Sequence, residues 1–137
     1  MPNLPINPTL VAVKVETSYL PSHSSPEQDQ YTFAYTITIN NDSRLPVQLL
    51  SRHWIITDAH DEVQEVRGEG VVGEQPVIEP GAMFRYTSGA TLATPLGFMR
   101  GSYFMVVHDP VALNPAEPPT FEVPIPAFSL HTPTALN

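Results

Sequence analysis

Residues 31–40 read Tyr-Thr-Phe-Ala-Tyr-Thr-Ile-Thr-Ile-Asn, and this stretch decides the fold class. Tyr31, Phe33, Tyr35, Ile37 and Ile39 fall on one face at period two, with Thr32, Ala34, Thr36 and Thr38 on the other. β-Branched and aromatic side chains suit a pleated surface with one buried side, so the segment is a β-strand with its aromatic face inward. A helix would scatter the same five residues around its circumference.

Working outward, Val11, Val13 and Val15 share a face, with Ala12, Lys14 and Glu16 opposite. Residues 47–57 (VQLLSRHWIIT) are apolar on both faces, and Asp58-Ala59-His60-Asp61 reads as a turn into a return strand at about 62–67. Pro80-Gly81 marks a further turn before Phe84 and Tyr86, which share a face. Residues 98–107 put Met99, Gly101, Tyr103, Met105 and Val107 in register, and 120–130 alternates Phe121, Val123 and Ile125. Pro124 and Pro126 fall out of phase with that stripe, which suits an edge strand or a bulge. Sixteen prolines spread along the chain oppose long helices. The expectation is an all-β protein: an immunoglobulin or fibronectin type III-like β-sandwich of seven to eight short antiparallel strands, with a small barrel as the alternative. The domain is expected over residues 10–130, after a flexible arm over 1–9 and before a tail over 131–137. A long proline-rich loop is expected over 109–120.

At 137 residues the chain fits one domain, and 42% hydrophobic residues mark it as globular. Fourteen acids against six bases give a formal charge of −8, and the five arginines form no basic run. Such a surface repels phosphate backbones and anionic lipid, which argues against nucleic acid as a partner. No cysteine is present, so disulfides, thiolate metal sites and cysteine nucleophiles are excluded together. The start, Met-Pro-Asn-Leu-Pro-Ile-Asn-Pro, has neither the basic beginning nor the apolar core of a signal peptide. No run of ~18 apolar residues offers a membrane span. A cytoplasmic protein is expected.

Gly68-Glu69-Gly70-Val71-Val72-Gly73 matches G-x-G-x-x-G, the dinucleotide pyrophosphate loop. That loop needs a following helix, yet Pro76 and Pro80 come next, and no acidic residue lies between Glu79 and Asp109 to hold a ribose. Two readings stand. Arg67, Gly68, Gly70 and Gly73 are anion-binding candidates, through backbone N–H groups aided by the arginine. Alternatively the glycines serve a tight turn beside packed backbone. Neighbouring Glu65, Glu69 and Glu74 weaken the anion reading.

His53, Asp58, His60 and Asp61 carry metal-ligating groups, but one is mid-strand and the others lie in a turn, so turn chemistry explains them adequately. Trp54, the sole tryptophan, is expected in the core between sheets. Arg52 shares its face by parity and is expected near the rim or beside a carboxylate, with a cation-π role as the lesser reading. Ser88 and Ser102 have glycine neighbours but no G-x-S-x-G context and no assigned His and carboxylate, so no catalytic residue and no cofactor is expected.

Linked blocks run through the chain in one order. They are Ser25-Pro26, Phe33-Ala34-Tyr35-Thr36, Pro46-Val47-Gln48-Leu49-Leu50 and Arg52-x-Trp54-x-Ile56-x-Asp58. Then come Val66-x-Gly68-x-Gly70-Val71-Val72-Gly73-x-Gln75-Pro76, Pro80-Gly81, Phe84-x-Tyr86-x-Ser88-Gly89, Thr94-Pro95-x-Gly97-x-Met99-x-Gly101-x-Tyr103-x-Met105 and Pro126-x-Phe128-x-Leu130. On these blocks the chain resembles the ApaG family over about residues 10–130. The resemblance implies a fibronectin type III-like sandwich and a cytoplasmic bacterial protein. It also implies a link to cobalt resistance and magnesium efflux, with no catalytic residues to carry over. The chain departs from the family pattern at His60-Asp61, where Asn-Gly is usual, and in the longer 109–120 loop. The expected function is a non-enzymatic module that binds a partner protein. The alternative is a small-ligand protein that takes pyrophosphate, a nucleotide or a divalent cation at the Gly68–Gly73 loop.

Overall fold

The 31–41 stretch forms the middle strand of a three-stranded antiparallel sheet, and its odd-numbered face lies in the core. The structure is a computed structural model that describes residues 4–109 and 118–135. Eight strands follow in order: β1 (Val11–Tyr19), β2 (Tyr31–Asn41), β3 (Val47–Asp58), β4 (Val63–Glu69), β5 (Val77–Ile78), β6 (Met83–Leu92), β7 (Leu96–Val107) and β8 (Thr120–His131). Short 3-10 turns at Pro8–Leu10, Pro21–His23 and Pro26–Gln28 are the helical elements among the described residues, each with proline where a missing N–H does no harm. One sheet runs β1-β2-β6 and the other β4-β3-β7-β8, with β5 also paired to β3, all antiparallel. This is the fibronectin type III-like sandwich, with two separate sheets and not the closed barrel.

The two-sided character of 47–57 has a local cause. Val47 and Leu49 point inward, then the register against β7 slips between Leu49 and Ser51, and Trp54 and Ile56 point inward instead. One extra residue at a bulge inverts the inward parity of the rest of the strand. A second slip lies between β7 and β8, where Met99 pairs Phe128 and Gly101 pairs Ile125. The extra residue falls on the Pro126 side, so the inward set changes from Phe121, Val123 and Ile125 to Phe128 and Leu130. The out-of-phase prolines thus sit on a strand that is both edge and bulged.

Two boundaries differ from expectation. Ile6 is only 8% exposed and joins the core, with Leu4 packed against it, so the expected arm over 1–9 is docked from Leu4 onward. An isoleucine at a sheet end gains more by burial than a free arm gains in entropy. At the other end β8 continues to His131 and Thr132 is buried, which moves the packed region past 130. Residues 110–117, most of the expected 109–120 loop, lie outside the described residues, as do 1–3 and 136–137. Asp61 takes a left-handed conformation (φ 61°), so the His60-Asp61 turn has the geometry that a glycine would ordinarily supply. Asn41, which sequence reasoning passed over, is fully buried. Its Nδ2 donates to the carbonyls of Leu45 and Ile78, both at 2.9 Å, and its Oδ1 accepts from the Ser43 N–H at 3.0 Å.

Candidate functional site

The glycine segment is a hairpin. Val71 N–H donates to Glu74 O at 2.8 Å and Glu74 N–H returns to Val71 O at 2.9 Å, leaving Val72 and Gly73 as the two turn residues. Both have positive φ, 45° and 81°, the signature of the I′ turn family that joins two strands most tightly. Gly70 is also left-handed, and a Cβ there would lie 2.3 Å from Glu74 O. Val71 is buried, anchoring the hairpin to the core. The hairpin seats on the bulge in β3: Leu50 O accepts from Gly70 N–H at 2.8 Å and from Gln75 Nε2 at 2.9 Å. The backbone N–H groups of Gly70, Val71 and Glu74 are therefore engaged within the chain and are not presented to a ligand.

Gly68 serves a different purpose. It pairs with Arg52 across β3 and β4, and a Cβ on it would lie 2.7–2.9 Å from three atoms of the Arg52 guanidinium. The arginine lies flat over the glycine, and its Nη1 donates to the carbonyls of Glu69 at 3.1 Å and Gly70 at 2.8 Å. Arg52 had been expected at the rim or beside a carboxylate; it instead ties the strand end and the hairpin to β3. The signal lay in Gly68, but it becomes visible only once the register of β3 on β4 is known.

Arg67 points the other way, onto the outward face of the five-stranded sheet, where its Nη2 donates to Glu65 Oε1 at 3.0 Å. His53 Nε2 stands 2.5 Å from the same oxygen. Hydrogen bonding from His53 and then Arg67 holds the Glu65 carboxyl below its usual range. The register sets Ser102 opposite His53, but no hydrogen bond joins them among the described residues. Asp58 Oδ1 accepts from the N–H groups of His60 and Glu62, closing its turn. Among the described residues no three His, Cys, Asp or Glu side chains gather as a metal would require.

Trp54 is 2% exposed, as the sandwich reading requires. Tyr35 meets it edge-on at 5.4 Å between centroids, and Phe128 and Tyr103 meet it at 5.9 and 6.3 Å. Its indole N–H, though buried, has no hydrogen-bond partner among the described residues. Nearby, the hydroxyls of Tyr86 and Tyr103 bond to each other inside the core. Burial pushes both phenols well above their ordinary range, with Arg52 acting weakly in the opposite direction.

Val72 supplies one prediction. A β-branched residue at positive φ is strained by about 1–2 kcal/mol. Its side chain is largely exposed, so replacing it forfeits little burial. Val72→Asn creates the favoured Asn-Gly turn and is expected to stabilise the fold by about 1 kcal/mol, raising Tm by about 3 °C. A lower melting point in the variant would contradict the I′ assignment.

The ApaG domain family model matches residues 21–107. Protein ApaG of Pseudomonas aeruginosa is 55% identical over 127 residues, covering 93% of this chain and 94% of that protein. Protein ApaG of Acidithiobacillus ferrooxidans is 52% identical over 130 residues, covering 95% and 96%. Among solved structures, a crystal structure assigned to the ApaA protein of Bordetella pertussis superposes with a TM-score of 0.83 at 48% identity, over 98% of this chain and all of that one.

Proposed function

This chain belongs to the ApaG domain family, and from that premise we propose that it is a non-enzymatic module of the bacterial cytoplasm that binds a partner protein. The observation that carries this reading is the outward face of the five-stranded sheet. Phe98 and Phe104, both on β7, are 51% and 39% exposed there, and Val63 shares a row with Phe98 across Thr57. Phe98 and Val63 form an apolar pair at one end of this face and Phe104 stands at the other, with Arg100 and Ser102 between them, and exposed aromatic side chains of this kind are anchors in protein recognition. The ion pairs of Glu65 and Arg67 beside them supply polar contacts that fix orientation. Through the family link, the partner under this reading is a protein that takes part in cobalt resistance or magnesium efflux.

The test is capture of interacting proteins from the native host with the wild-type chain and with Phe98→Ser/Phe104→Ser. The double variant is expected to retain its melting point to within a few degrees, because surface changes usually alter stability by about 0.5 kcal/mol or less each. It should recover at least about tenfold less of the specific partner, the scale of losing buried aromatic anchors. Equal recovery by both proteins would sink the assignment of this face.

A further inference from the structure

The two sheets do not close on both flanks. Where the edge strand β4 faces the edge strand β6, a cleft of about 390 Å³ opens between them, with Trp54 and Tyr35 among its walls and Arg52 lining it. Its origin is visible in β6. The inward residues of that strand run Phe84, Tyr86, Ser88, Ala90 and Leu92, and the two small ones fall opposite the tryptophan and arginine of β3, leaving the space unfilled.

Arg52 is unusual in its placement. Lys14, Arg67, Arg85 and Arg100 occupy outward positions of their strands, and Arg52 alone among the described strand cations takes an inward one. It forms no ion pair among the described residues, and its hydrogen bonds there come from Nη1, leaving the Nε and Nη2 edge unengaged. Arg52 is half-buried at the cleft, and without a carboxylate partner among the described residues its free edge is open to an anion. Trp54 forms part of the cleft wall, with its indole N–H buried behind that wall and unpartnered among the described residues. Tyr35, Val66 and Ala90 contribute apolar surface, and Gln64 and Ser88 contribute polar groups.

We propose that this cleft binds a small organic carboxylate with a flat apolar body. The guanidinium fork matches a carboxylate in two-point geometry. The aromatic walls suit a ring. A phosphate dianion fits less well, because one guanidinium offers it too few donors and the surrounding acidity opposes a second charge. The site is separate from the outward face carrying Phe98 and Phe104.

The chain has a single tryptophan, so its indole N–H gives one unambiguous NMR signal. Titrating the intact protein with benzoate, phenylacetate, 3-phenylpropanoate and indole-3-carboxylate is expected to move that signal saturably with at least one of them. The matching amide should bind at least about tenfold more weakly, as should inorganic phosphate. Ala90→Leu fills the cleft with apolar atoms and is expected to fold normally and lose the response. Arg52→Gln should lose it too, and if that variant folds poorly, Ala90→Leu and the amide comparison still decide. Phe98→Ser/Phe104→Ser should keep it. Absence of a saturable shift with all four acids, equal shifts with acid and amide, or a response that survives in Ala90→Leu would each overturn the proposal.

Discussion

Gly101→Val destabilises the protein by about 3 kcal/mol or more, a large part of the total stability of an ordinary domain. Gly101 sits opposite Trp54 in the β3–β7 ladder. A Cβ there would lie 2.1 Å from His53 O, 3.1 Å from His53 C and 3.2 Å from Trp54 Cα. All three atoms are backbone, and β3 is held on its other side by β4, so the strand has nowhere to retreat. Gly73→Ala is the control. Its φ of 81° strains an alanine, but no atom lies within 4 Å of the added carbon, so the loss there should be about 1 kcal/mol. Urea unfolding of the three proteins checks the ranking. A Gly101→Val midpoint close to that of Gly73→Ala would show that β3 and β7 are not packed as described.

Raising the pH above 10 unfolds the protein steeply, and the buried Tyr86–Tyr103 pair causes it. Both phenols are held above the ordinary value of 10, chiefly because burial penalises the tyrosinate. Below pH 10 both states keep these protons and the pair leaves stability independent of pH. Above pH 10 the unfolded chain releases them while the folded chain cannot, so stability falls as pH rises toward the folded values. The slope approaches about 1.4 kcal/mol per pH unit for each tyrosine. Two of them remove about 5 kcal/mol by pH 12, enough to exhaust a marginal domain. Tyr86→Phe should lose about 1 kcal/mol at neutral pH with the hydrogen bond, yet roughly halve the alkaline slope. Denaturant melts at pH 8, 10, 11 and 12 measure both quantities. An unchanged slope in Tyr86→Phe would rule the pair out as the cause.

The alternating 31–39 stripe was legible because a period-two pattern is a local property, and so were the turns at Pro80-Gly81 and after Asp58. The cause of the two-sided character of 47–57 was not legible, for the same reason. Local alternation carries no mark of a bulge, and only the pairing with β7 shows that Leu49 and Trp54 face the same way. The glycine motif runs into a hairpin and a short strand and not into a helix, as its prolines indicated. The room for Arg52 at Gly68 is a matter of long-range register, whereas the left-handed approach to Glu74 at Gly70 and the turn at Gly73 are local and fit the tight-turn reading. The cleft was invisible for a related reason. Ser88 and Ala90 are unremarkable in the chain, and their smallness matters only against Arg52 and Trp54 from another sheet.

The bulge in β3 also bears on how such a chain can vary over descent. Because the hairpin at 70–75 seats on the main-chain carbonyl of the bulge residue and not on its side chain, the number of residues between Leu49 and Trp54 is under tighter restraint than their chemistry. Removing Leu50 would leave the other pairings with β7 in place and Trp54 inward, but would take away the carbonyl that accepts from Gly70 and Gln75, while exchanging it for another residue would leave that carbonyl intact. Insertions and deletions should accordingly collect at turns such as 59–62. Between 49 and 54, length is the inherited trait.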